Sequence, residues 1–182
     1  MKKVRVALGV LCLLLVVVCG GFLAYVLPRH DVVHVNGHEV KRVDKEGKVV
    51  DALNNAVGGI TRDVFFIYTT DTDKRDVHVF RNEDTGFGFP WYLKFDSAEV
   101  QGRSQLLSRN DTQLALITYY GWRIPMLGMF PNAVNVEAWE TTVAPFPVFN
   151  TVFFAVLVLV LLLVWWKVRK TRQKWQAKKE VA

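Results

Sequence analysis

The sequence predicts a membrane-anchored α+β protein: two transmembrane helices flank a small β-rich extracytoplasmic domain with one main helix. Three observations lead there. Residues 6–27 and 148–166 are runs of 22 and 19 residues without a charge. Basic residues crowd the outer ends of both runs. Between them lie short β-branched stretches separated by turn residues, and one stretch with a helix-capping pattern.

At about 1.5 Å per helical residue, each run crosses a hydrocarbon core of roughly 30 Å. Lipid offers the backbone no water partner, so each run should be helical. The net charge of +6 over 182 residues divides into +3 in residues 1–5, −3 in 28–147 and +6 in 167–182. Positive charge is retained on the cytoplasmic side. The expected order is therefore a cytoplasmic N-terminus (1–5), a first span (6–27), a translocated domain (28–147), a second span (148–166) and a basic cytoplasmic tail (167–182). The first run exceeds the ~7–15 apolar residues of a signal peptide and lacks a small-x-small cleavage site after it, which predicts an uncleaved signal anchor. The basic charge is thus topogenic, and no nucleic-acid partner is expected. The bilayer is the first partner. Cys12 and Cys19 lie seven apart within the first run, so the domain has no disulfide framework. Gly20 and Ala24 add a small-xxx-small pair on which a homo-oligomer could pack; simple lipid contact is the plainer reading.

Within the domain, "DVVHVNGHEVKRV" gives two β-branched runs around Asn36-Gly37, the dipeptide favoured by a type I′ turn, and predicts a hairpin. Residues 51–57, before Gly58-Gly59, read as a weak helix. "DVFFIYTT" and "DVHVF" flank a turn at "DTDKRD". "WYLKF" (91–95), "LALITYYGW" (114–122) and "AVNVEAW" (133–139) read as strands. Asp96 is the expected cap of the helix "SAEVQGRSQLLS", with Glu99 completing a capping box; Gly102 weakens it. Strands, a helix, then more strands fit an OB-like barrel, whose helix lies between the third and fourth strands.

The apolar stretch "YYGWRIPMLGMFPNAV" (119–134) is too short for a third span. Arg123 at a helix centre would cost about 2.5–3.5 kcal/mol on insertion, and Pro125 and Pro131 would break the helix. It reads as a strand end at Trp122, an ordered loop, and the next strand.

Candidate chemistry is sparse. His30, His34 and His38 are four apart, but a turn at Asn36-Gly37 would send His34 and His38 to opposite faces, so no metal site is expected. "DTDKRD" lacks the glycine and glutamate that close a calcium loop and reads as a solvated turn. Asn110 begins a glycosylation sequon that matters only in a eukaryotic secretory route. The domain has no cysteine, nucleophile elbow or phosphate loop, so neither an enzyme nor a cofactor is expected. Aromatic density is more informative. "RNEDTGFGFPWYLKFD" (81–96) offers a ligand surface at Arg81, Glu83, Asp84 and Trp91, beside the alternative of a compact core. Trp122, Arg123, Met126, Leu127, Met129 and Phe130 form the expected contact with a partner or the membrane. Arg123 would stack on Trp91 or pair with an acid of 82–84.

The segments "RNEDTGFGFPWYLKFDSA" and "YYGWRIPMLGMFPNAV" resemble the bacterial membrane proteins grouped as domain of unknown function 1523. That resemblance implies a bacterial inner membrane, or a phage or prophage carried by the host, and hence a periplasmic domain; it carries over no catalytic residues. The expected function is a non-enzymatic protein whose periplasmic domain binds an envelope protein or the membrane surface, in envelope maintenance or phage-related exclusion. The alternatives are a small-ligand sensor signalling to the tail, and an enzyme acting on lipid or cell-wall material.

Overall fold

Five strands close into a barrel in the order β1-β2-β3-β5-β4. The computed structural model describes residues 2–43, 62–73 and 75–180. Its elements are α1 (Lys2–Val26), β1 (Arg29–Val43), β2 (Arg62–Asp71), β3 (Val77–Asn82), α2 (Ser97–Leu107), β4 (Leu114–Tyr120), β5 (Asn132–Trp139) and α3 (Val148–Glu180). The predicted helix over 51–57 lies outside the described residues. The chain forms two units, Met1–Pro145 with α1 and the barrel, and Phe146–Ala182 with α3.

The barrel has the layout expected of it, with α2 between the third and fourth strands. All neighbours are antiparallel except β3 and β5, which meet in parallel at Arg81 and Asn132. The predicted hairpin at Asn36-Gly37 does not form. Residues 29–43 are one strand, whose first half pairs with β4 and second half with β2. Each half already has a partner, so Asn36-Gly37 serves as a β-bulge, shifting register between Val35 and Gly37 and letting the strand bend around the barrel. His34 and His38 still face opposite ways, because the bulge sets them against Thr70 and Ile67 of β2. The turn at 71–76 does join β2 to β3, with Asp71 N–H donating to Asp76 O at 3.0 Å.

Alternation along the strands fills the interior. Val33, Val35, Ile67, Phe80, Ala115, Ile117, Ala133 and Val136 are buried in one cluster, joined by Val100 of α2. On the opposite parity of β2, Val64 and Phe66 pack with Tyr68, Val79 and Phe130 in a second cluster. Helix α2 starts where predicted, but Asp96 makes no side-chain cap. Asp84 takes that role from the loop, its Oδ1 accepting Ser97 N–H and its Oδ2 accepting the Ser97 hydroxyl, both at 2.8 Å. Glu99 pairs with Arg103 at 3.6 Å instead of closing a capping box.

Helices α1 and α3 contain apolar windows, Gly9–Val26 and Val148–Thr171, long enough to cross a membrane, and neither window is buried by the chain itself. On α3 the guanidinium of Arg169 lies 5.2 Å over the Trp165 ring and the Lys170 ammonium 5.0 Å over Trp166. Each pair holds a cation against an aromatic ring.

The junction of α1 with the barrel is closely determined. A helix leaves its last four carbonyls without partners inside it; here they belong to Leu23, Ala24, Tyr25 and Val26. Leu27 N–H donates to Leu23 O at 2.9 Å. The other three are met by groups beyond the helix: Arg29 Nη2 donates to Ala24 O at 2.6 Å, Gly121 N–H to Tyr25 O at 2.9 Å and the Tyr92 hydroxyl to Val26 O at 2.5 Å. The Arg29 charge also complements the negative end of the helix. Gly121 is required at its place: its φ is +95°, and a Cβ would meet Pro131 Cα at 3.5 Å and the Tyr25 ring at 3.7 Å.

Replacing Tyr92 with Phe should therefore lower the stability of the detergent-solubilised chain by about 1 kcal/mol, the usual worth of one such bond. Thermal unfolding of Tyr92→Phe against wild type checks it.

Candidate functional site at the junction of helix and barrel

Between β3 and α2 the chain makes a long loop, 83–96, that shapes the site. The buried Asn132 side chain holds its start: Glu83 N–H donates to Asn132 Oδ1 at 2.9 Å, and Asn132 Nδ2 donates to Glu83 O at 3.0 Å. The side chain thereby extends the short β3–β5 pairing. Farther along, Lys94 N–H donates to Thr85 Oγ1 at 3.1 Å and Gly86 N–H to Lys94 O at 3.0 Å, closing the loop base.

The expected strand at 91–95 is absent. Among the described residues no strand pairs with it, and Trp91 and Leu93 adopt φ of +48° and +51°. Left-handed conformations at non-glycine residues are strained by about 1–2 kcal/mol each and persist where surrounding contacts impose them. The alternation survives, but inverted with respect to hydropathy. Tyr92 and Lys94 turn inward, while Phe87, Phe89, Trp91, Leu93 and Phe95 are exposed, Phe87 to 83% and Trp91 to 68%.

The inward pair explains the inversion. The Tyr92 ring stacks on Tyr120 with centroids 4.6 Å apart, and its hydroxyl reaches Val26 O. Tyr25 sets its edge against Tyr120 and Trp122, making an aromatic joint beneath the helix end. Lys94 is 4% exposed. Its Nζ donates to Asn82 Oδ1 and, at 2.6 Å, to Ala133 O. Asn82 Nδ2 donates onward to Ser97 O at 2.8 Å and to Gln101 Oε1 at 3.2 Å. Burial lowers the Lys94 ammonium to about 8, against the opposing pull of Asp96, Asp84 and Glu83. A neutral amine keeps two N–H donors, which match the two acceptors present. Burial pushes the Tyr92, Tyr119 and Tyr120 hydroxyls up.

Beside this joint lies a polar cavity of about 240 Å³, lined by Arg81, Glu83, Asp84, Thr85, Tyr120 and Asn132, with Tyr25, Phe89, Gly121 and Phe130 completing the wall. Arg81 Nη1 donates to Glu83 Oε2 at 3.0 Å, and both side chains are about one-fifth exposed. The buried Arg81 Nε has no acceptor among the described residues. Gly121 also borders a second cavity of about 170 Å³, lined by Arg29, Asp31, Tyr119, Arg123 and Pro131 among others.

Three residues of the expected ligand surface, Arg81, Glu83 and Asp84, thus meet in one cavity; Trp91 does not line it. Of the expected contact set, Trp122 packs on Tyr25 and near Gly21. Arg123 stacks on Phe130 at 4.0 Å and donates to Met129 O at 3.0 Å, in place of the expected Trp91 or acidic partner. Met126 and Leu127 form an exposed 3₁₀ turn, Met126 at 96%. Met129 and Phe130 are half-buried, and Phe130 sets its edge on Phe66. Sequence reasoning missed Tyr25, Tyr92, Lys94, Tyr120 and Asn132. A lysine and a tyrosine sharing parity inside "WYLKF" were the available signal.

A family model described as Protein of unknown function (DUF1523) matches residues 4–172, and the chain belongs to that family. It is similar to an uncharacterized protein of Haemophilus influenzae, 42% identical over 140 residues that make up 76% of this chain and 78% of the relative. No solved structure matches.

Two predictions follow from this geometry. Folding lowers the Lys94 ammonium below its ordinary 10.5, so the unfolded chain holds that proton more tightly, and stability should rise as pH climbs from about 8 towards 10. Above 10 it should fall, because Tyr92 and Tyr119 ionise first in the unfolded chain. Lys94→Met should abolish the rising limb in chemical denaturation curves recorded across that range. Arg123→Ala should lower stability by about 0.5–1.5 kcal/mol, the worth of an exposed cation–π contact and one hydrogen bond; unchanged protease resistance and thermal unfolding would contradict it.

Proposed function

We propose that this protein is a non-enzymatic inner-membrane protein, with both termini cytoplasmic, whose periplasmic barrel binds the outer surface of the bilayer in which it is anchored. The observation that carries this reading is the inverted loop. Five large apolar side chains are turned outward along 87–95 while a tyrosine and a lysine take the interior. Exposed apolar surface of this kind marks a membrane or partner contact.

Position favours the membrane. Phe89 stacks on Phe22 of α1 with centroids 5.5 Å apart, and Trp91 lies edge-on to Phe89. Phe22 is within the last two turns of the apolar helix. If α1 spans the bilayer, Phe22, Phe89, Trp91 and Trp122 lie at headgroup level, where aromatic side chains concentrate. Only Leu27 and Pro28 separate α1 from β1, which keeps the barrel close to the surface. Met126 and Leu127 add apolar side chains from the neighbouring loop. Each large side chain that enters the apolar phase contributes about 1.5–3 kcal/mol.

One observation favours a second reading, a small-ligand sensor that signals to the cytoplasmic tail: Arg81, Glu83 and Asp84 meet in a polar cavity.

Photo-crosslinking from benzoylphenylalanine placed at Trp91 and at Met126 in intact cells tests the first reading. Phospholipid adducts at both positions are expected. A protein adduct of defined size at both would replace the membrane surface with an envelope partner.

A further inference from the structure

We propose that the cavity between Arg81 and Glu83 binds the headgroup of a phospholipid with a primary ammonium, an ethanolamine headgroup, with its phosphate on Arg81 and its ammonium on Glu83. The proposal deepens the membrane-surface reading and rests on it.

Charge selects the ligand class. Arg81 and Glu83 form a cross-paired couple inside the cavity, with the Asp84 charge close by. A simple anion brought to Arg81 would meet two carboxylates, and a simple cation brought to Glu83 would meet the guanidinium. A ligand carrying both signs exchanges one ion pair for two and adds no net charge to the cavity. The guanidinium has donors to spare, since Nη1 serves Glu83 and the buried Nε has no acceptor among the described residues; a phosphate is the acceptor its fork suits best. A primary ammonium brings three N–H donors, which the Glu83 carboxylate can accept, whereas a quaternary ammonium brings none. Rings of Tyr25, Phe89 and Phe130 complete the wall, a setting that also favours a cation.

Size and place agree. At about 240 Å³ the cavity falls below the ~300–1,000 Å³ of drug-sized sites, so it suits a headgroup whose chains remain outside. Tyr25 belongs to the last turn of α1 and Phe89 stacks on Phe22, so acyl chains leaving the cavity on that side would run along the apolar helix.

The test is native mass spectrometry of the full chain in detergent, titrated with phosphatidylethanolamine, phosphatidylcholine and phosphatidylglycerol of identical acyl chains. Phosphatidylethanolamine should bind about tenfold tighter than either of the others, the worth of one charge-assisted contact. Glu83→Gln should erase the preference over phosphatidylcholine, and Arg81→Gln should weaken both phosphatidylethanolamine and phosphatidylglycerol. Glu83→Asp, which keeps the charge, should retain part of the preference, and thermal unfolding of each variant shows that the barrel is intact. Equal binding of the three lipids by the wild type would overturn the proposal. Glycerophosphoethanolamine, the headgroup without chains, separates the two readings. Loss of its binding while Trp91 and Met126 still crosslink to lipid defeats the headgroup site alone. Binding without those crosslinks defeats the surface reading and, with it, a lipid as the source of the headgroup.

Discussion

The carbonyl oxygens at the end of α1 are the constraint on which the arrangement depends. A helix must find donors for the carbonyls of its last turn, and bulk water is a common source. This chain supplies three of them from parts far apart in sequence: Arg29 from β1, Tyr92 from the long loop and Gly121 from the end of β4. Each donor also fixes something else. Arg29 starts the barrel, Tyr92 stacks on Tyr120, and Gly121 lets Pro131 and Tyr25 approach closely. The helix end and the barrel are thus one construction, and the orientation of α1 decides which face of the barrel adjoins it.

The long loop follows from the same constraint. For Tyr92 to reach Val26, and Lys94 to reach Asn82 and Ala133, the residues between and beside them must point away. Trp91 and Leu93 do so at the expense of left-handed backbone. A ladder partner would have held 91–95 as an ordinary strand with its apolar side chains inward; the hydrogen bonds of Tyr92 and Lys94 win instead. The resulting apolar rim and polar cavity share one wall, since Phe89 belongs to both. An exposed apolar rim thus adjoins a cavity that holds opposite charges side by side.

Much of the architecture was legible in the sequence, because periodicity and charge report it directly. Both apolar helices, the turn at 71–76, the start of α2, the strands at 114–120 and 132–139 and the barrel itself follow from patterns of apolar and polar residues. Where the reading failed, local chemistry had two uses. Asn-Gly favours a hairpin, yet the same dipeptide accommodates a bulge when both flanking runs already have partners. Asp96 is well placed to cap α2, yet Asp84 arrives through space. Alternation in "WYLKF" is real, but periodicity cannot tell which face is inward when hydrogen bonds outweigh hydropathy. For the candidate site, the grouping of Arg81, Glu83 and Asp84 was visible as a charged segment. Tyr25 was hidden inside an apolar run, and Asn132 is an ordinary strand residue until Glu83 pairs with it.

The most direct measurement is the distance distribution between α1 and the barrel, by pulsed electron paramagnetic resonance of the full chain in lipid nanodiscs. Spin labels would sit on the exposed native Cys19 and on Gln105→Cys of α2, with Cys12→Ala to remove the other thiol. A helix end clamped by Arg29, Tyr92 and Gly121 predicts a single narrow distribution. A broad or multiple distribution would show a barrel swinging on its two-residue connection, and would contradict the account.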